Sequence, residues 1–129
     1  MSELLKQVIA TDNAPGAIGP YSQAVRIGDM LYTSGQLGMN PATGEFPSTV
    51  EEQAKQSLNN VKAILEAAGG HMGQIVKTTV FLKDMNDFAQ VNAVYSTFFE
   101  QPYPARSAVE VARLPKDALI EIEVVAFLK

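Results

Sequence analysis

The sequence predicts an α+β fold, a single mixed β-sheet with two helices on one face. Three observations point there. The segment Leu119 to Leu128 alternates strictly: Ile120, Ile122, Val124, Ala126 and Leu128 form an aliphatic side, and Leu119, Glu121, Glu123, Val125 and Phe127 a mixed one. Two stretches carry apolar residues at three- and four-residue spacing, as one-sided helices do. The β-rich runs around them give the order βββ-α-β-α-ββ, which suits helices covering one face of a sheet.

"LKQVIA", Leu4 to Ala10, reads as a first strand, and "TDNAPGAIGP" as a loop, with two Pro and two Gly among polar residues. "YSQAVRIGDMLYTSGQLGMN" holds two short strands around Gly28-Asp29, a hairpin turn; "PATGEFPS" is a second loop. Thr49 to Ala68 is the first helix. Ala54, Leu58, Val61, Leu65 and Ala68 make its apolar stripe, while Lys55, Lys62 and Glu66 lie opposite. Ser48-x-x-Glu51 and Thr49-x-x-Glu52 both match a capping box, and Gly69-Gly70 ends the helix.

"QIVKTTVFLKD", Gln74 to Asp84, is β-branched and aromatic and so a strand. Val76, Thr78, Val80 and Leu82 are expected on its core side, and Lys77, Thr79, Phe81 and Lys83 on the other. "NDFAQVNAVYSTFFE" is the second helix, capped by Asp84 or Asn86, with a core stripe of Phe88, Val91, Tyr95, Phe98 and Phe99. Asn92 lies beside that stripe. The last strands are Ser107 to Arg113 and Leu119 to Leu128, joined by "LPKD". Ala108, Val125 and Phe81 are expected on the face without helices, which predicts a homo-oligomer that buries it.

The 129 residues fit one domain, 1–129, large enough for a core without metal or disulfide staples. Apolar residues at 47% and charged ones at 19% mark a globular chain. A net charge of −4 without a Lys or Arg run argues against phosphate-backbone binding. The absence of cysteine excludes thiolate nucleophiles and cysteine metal sites. No secretory h-region or membrane-length apolar run is visible, so a cytoplasmic location is expected. The lone histidine, His71 in "AAGGHMGQ", is read as a solvated loop residue.

Charge on the last strands is the remaining feature. Alternation groups Arg106, Ala108, Glu110 and Ala112 on one face and sets Glu121 and Glu123 off the core face. Glu110 and Glu123 are read as ordinary surface charges. Arg106 follows "YPA" among small residues, and its planar guanidinium suits a carboxylate. It holds either Glu121 or an anionic ligand; spacing does not choose between them.

"GPYSQAV", "LYTSGQLG", "QSLNNVKAILEAAG", "IVKTTVFLKDMNDFAQVNAVY" and "PARSAVEVARLPKDALIEIEVVA" resemble the reactive intermediate deaminase family, also called RidA, YjgF or endoribonuclease L-PSP. The resemblance runs from about Ile9 to the C-terminus. It implies a chorismate-mutase-like homotrimer with clefts between subunits. It also implies hydrolysis of 2-imino acids such as 2-iminobutanoate and 2-iminopropanoate, or their enamine tautomers, to 2-keto acids and ammonia. These imines arise from pyridoxal-phosphate dehydratases, and no cofactor or metal is required. By resemblance, Arg106 binds the substrate carboxylate and Glu121 stands near the attacking water. Tyr21 closes the pocket, and Ser34, Gly35 and Asn92 line it. Ala108 is also implied as a substrate-binding position through its backbone groups; it stands where close members commonly carry Cys, so no thiol role transfers there. Two other readings are a carboxylate-binding regulatory trimer and a ribonuclease; the acidic charge and partnerless histidine count against the second.

Overall fold

The computed structural model describes residues 5–129. The strands are β1 (Gln7–Ile9), β2 (Ala24–Ile27), β3 (Met30–Thr33), β4 (Gln36–Leu37), β5 (Ile75–Leu82), β6 (Ala105–Glu110) and β7 (Ile120–Phe127); the helices are α1 (Val50–Ala67) and α2 (Phe88–Tyr95). One sheet runs β1-β2-β3-β7-β5-β6, with β4 also paired to β7. Among the described residues β5 and β6 pair parallel, joined across α2, and the other pairings are antiparallel, so the sheet is mixed. Leu4, at the start of the expected first strand, lies outside the described residues, and the strand itself begins at Gln7.

Most elements follow from their local chemistry. Gly28 takes φ 57° and turns β2 into β3. Thr49 is the N-cap of α1, its hydroxyl accepting the Glu52 N–H at 3.2 Å. Gly69, at φ 83°, follows the last turn. Leu31, Leu58, Ile64, Leu65, Leu82, Ile120 and Ile122 are fully buried between helices and sheet. Each such side chain stabilises the fold by about 1.5–3 kcal/mol. The aliphatic side of β7 faces this core as expected.

Four expectations need correction. β5 carries a bulge between Ile75 and Lys77, which resets the alternation: Ile75, Thr78, Val80 and Leu82 are buried, and Val76 is exposed rather than in the core. The second helix is shorter than its apolar stripe. Asp84 caps a 3₁₀ turn over Met85–Asp87, and α2 runs only from Phe88 to Tyr95. β6 starts and ends earlier than expected, at Ala105 and Glu110. β4 was not anticipated, because two residues carry no periodic signal.

β4 is held by polar contacts with α1. Ser57 Oγ donates to the Gln36 carbonyl at 2.7 Å, and Asn60 Nδ2 donates to the Leu37 and Met39 carbonyls at 3.0 Å. Gln53 donates to the Pro47 carbonyl and accepts the Leu119 N–H, both at 2.9 Å. Gln53, Ser57 and Asn60 recur at four- and three-residue spacing and are all buried. They form a polar row on the helix beside the apolar stripe.

Candidate active site

Between β3 and β4 the chain leaves the ladder over Thr33–Gly35, and Thr33 Oγ1 fills the gap by accepting the Val124 N–H at 3.0 Å. The excursion brings Gly35 against Glu121. A Cβ on Gly35 would lie 2.6 Å from the Glu121 carboxyl carbon, so only glycine lets the carboxylate rest there undisplaced. Ser34 is anchored by its hydroxyl donating to the Ser22 carbonyl at 2.6 Å. Buried Gln23 accepts the Thr11 N–H and donates to the Thr11, Ala14 and Pro15 carbonyls, which ties the preceding loop down.

Tyr21, Ser34, Gly35 and Glu121 thus line one cavity of about 500 Å³, together with Gln23, Ile18 and Lys116. Lys116 was not singled out in the sequence. It reaches the cavity from a turn in which Lys116 and Asp117 both have φ 56°, a left-handed conformation that L side chains seldom adopt. Glu121 is half-buried, and its pKa is raised, first by burial and then by the charge of Glu123. A second cleft, of about 600 Å³, lies between His71–Gly73 and Thr97–Pro104 and contains none of the expected site residues. His71 is a capping residue there: its Nδ1 accepts the Gly73 N–H at 3.2 Å.

Arg106 is elsewhere. Opposed residues on neighbouring strands share a face. Arg106, Ala108 and Glu110 oppose Thr78, Val80 and Leu82, whereas Glu121 and Glu123 oppose Phe81 and Thr79. Arg106 and Ala108 therefore stand on the helix-covered side, and Glu121 on the other. This corrects the placement of Ala108 beside Phe81 and Val125; Ala108 packs against the core. A six-residue edge strand with a lone Val against Ala and Ser has no amphipathic contrast to orient it. Of the two partners left open for Arg106, Glu121 is thus out of reach within one chain. Glu110 accepts the Met85 N–H at 2.8 Å and so steadies the turn before α2.

The Arg106 guanidinium lies along α2. Its carbon is 5.2 Å from the Phe88 ring centroid and 4.7 Å from that of Tyr95, and Nη1 donates to Asn92 Oδ1 at 2.7 Å. The Tyr95 and Thr78 hydroxyls share a buried hydrogen bond of 2.8 Å. Burial raises the Tyr95 pKa, opposed by the Thr78 hydrogen bond and the Arg106 charge, so the phenol is neutral. The two ion pairs among the described residues are Arg26–Asp29 and Arg113–Asp117; Arg106 is in neither. Its remaining donors are available to an anion. Phe88 and Tyr95 were read as core alone, although their spacing from Asn92 carried the signal. Among the described residues no group of three or more His, Cys, Asp or Glu could hold a metal ion, and no helix is long and apolar enough to cross a membrane.

Residues 11–128 match the family described as Endoribonuclease L-PSP. Among curated relatives, 2-iminobutanoate/2-iminopropanoate deaminase of Escherichia coli K12 is 62% identical over 95% of this chain and 98% of its own. The protein of that name from Salmonella typhimurium LT2 is 60% identical over the same shares. Among solved structures, the E. coli YjgF gene product superposes with a TM-score of 0.92 at 62% identity, and E. coli TdcF with bound serine with 0.92 at 54%. Each alignment covers 95% of this chain and 99% of the other.

Proposed function

The chain belongs to the Endoribonuclease L-PSP family, and on that premise we propose that it is a hydrolytic deaminase converting 2-iminobutanoate and 2-iminopropanoate to 2-keto acids and ammonia. The observation that carries the reading is the Arg106 guanidinium, held by neutral partners with its charge uncompensated. It is a ready receptor for a small carboxylate. The 62% identity to a deaminase of these imines supports the substrate class.

Arg106 and Glu121 stand on opposite faces of one sheet. For both to act on one small molecule, a second copy must bring its Glu121 cavity to the first copy's Arg106. We therefore place the site between subunits of a homotrimer. The assembly is supported by Val8, Ile27, Tyr32, Val109 and Phe127, which leave the face opposite the helices exposed and apolar.

In the reaction, Arg106 orients the carboxylate of the protonated imine, and Glu121 receives a proton from water as the water oxygen bonds to the imine carbon and the C=N π pair moves onto nitrogen, giving a neutral carbinolamine. The carbinolamine then collapses. Its hydroxyl proton passes to solvent water as C=O forms, the C–N bond breaks, and nitrogen departs as ammonia with the proton returned by Glu121. A carboxyl whose pKa is raised is suited to both transfers. Tyr21 closes the cavity, while Ser34 and Gly35 shape its wall and Asn92 holds Arg106. The substrates are products of pyridoxal-phosphate dehydratases.

The test is a coupled assay in which a threonine dehydratase generates 2-iminobutanoate and its loss is followed. The protein should accelerate that loss, and Arg106→Ala should abolish the effect with the assembly intact. Near-normal turnover by Arg106→Ala would sink the anchor role. No acceleration by the parent protein would favour a carboxylate binder without turnover.

A further inference from the structure

Phe88, Asn92 and Tyr95 follow one another along α2 at four- and three-residue spacing, so they share one helix face. All three touch the same guanidinium: two rings within 5.2 Å of its carbon and one amide oxygen at 2.7 Å. None carries a charge that would neutralise it. An arginine on an exposed edge strand ordinarily samples many rotamers, and ordering it costs free energy when ligand binds. We propose that these three residues form a preset cradle for Arg106, and that Tyr95 is a positioning residue for carboxylate binding. The proposal rests on the reading of Arg106 as the carboxylate anchor.

Tyr95 is the stiffest part of the cradle. The residue is 7% exposed, and its ring packs on Phe99 with centroids 4.5 Å apart and is tethered through its hydroxyl to fully buried Thr78. Thr78 lies directly opposite Arg106 across the β5–β6 pairing. The same pair of strands thus sets the base of the arginine and, through Thr78 and Tyr95, the surface its head rests on. Asn92 contributes an acceptor and leaves the charge whole. Aspartate there would offer two oxygens, occupy the guanidinium edge, and compete with the substrate.

The experiment compares Tyr95→Leu, Tyr95→Phe, Asn92→Asp and Arg106→Ala in the full-length protein. Affinity for 2-oxobutanoate is measured by calorimetry, and KM and kcat are measured for 2-iminobutanoate generated in place, below every variant's melting transition. Tyr95→Phe keeps the ring face and should bind within about twofold of the parent, although loss of the Thr78 partner lowers its Tm. Tyr95→Leu loses the face, and its Kd and KM should rise between about threefold and thirtyfold with kcat little changed. A role in core packing alone would lower Tm without separating Leu from Phe in affinity. Asn92 is exposed, so Asn92→Asp should fold, and it should weaken binding by more than Tyr95→Leu. The cradle is overturned if Leu and Phe bind alike, or if Asn92→Asp binds as well as the parent, while Arg106→Ala loses binding. If Arg106→Ala keeps its affinity, the anchor reading fails and the cradle with it.

Discussion

Glu121 rests half-buried on the backbone of Gly35, with Glu123 two residues along the same face. Both burial and that neighbour disfavour its ionised form, so its folded pKa lies above its unfolded one. The sign follows: its contribution to stability is full below the ordinary carboxylate range and is lost as pH rises through the raised value. Glu121→Gln should therefore raise Tm at about pH 8, with the gain shrinking toward about pH 4 as the carboxyl protonates. The turnover of the parent should fall on the acid side with a midpoint above the ordinary carboxylate range, and a profile flat through that region would remove Glu121 as the base. Gly35→Ala should push the flexible carboxylate aside rather than unfold the chain. We expect Tm to change little and kcat to drop by about 10²-fold or more. At this scale the sequence named the charged side chains expected to carry the chemistry. It did not show that Gly35 and Glu121 touch, because eighty-odd residues and a break in the β3–β4 ladder separate them.

α1 and α2 each use a four-then-three spacing for more than core packing. On α1, Ser57 and Asn60 hold the Gln36–Met39 segment that walls the Glu121 cavity, and Gln53 ties the Pro47 carbonyl to the Leu119 N–H. Asn60 is fully buried, so Asn60→Leu strands two carbonyls and should destabilise by about 2–4 kcal/mol in chemical denaturation. A loss below about 1 kcal/mol would mean that water replaces the amide. The close approach has a steric side too, since a Cβ on Gly38 would run into the Gln53 backbone. The helices and most strands were legible from apolar periodicity. The polar row was not, because Gln, Ser and Asn on a helix look solvated until something packs over them. The bulge at Val76 was equally hidden. One extra residue reverses which side chains face inward, and β-branched residues on both sides leave no trace of the slip.

For the whole molecule, the placement of Arg106 and Glu121 on opposite faces makes assembly a condition of activity under the proposed reading. Arg106→Ala and Glu121→Gln chains, each inactive alone, should complement when unfolded together and refolded as mixed oligomers. At equal input, about one quarter of the sites in a ring would combine an intact Arg106 with an intact neighbouring Glu121, so about one quarter of parental activity should return. No recovery would show that both groups act within one chain. Local pattern along the chain was enough for the α+β class, the aliphatic core face of β7, the extent of α1 and the identity of the charged groups. All of these depend on residues near one another along the chain, where helix and strand periods impose the pattern. The side of the sheet on which Arg106 stands, the neutral surface that holds it and the cavity around Glu121 were decided only in the tertiary structure. They depend on β6 pairing parallel to β5 across α2 and on β4 lodging under α1, long-range contacts that leave no period in the sequence.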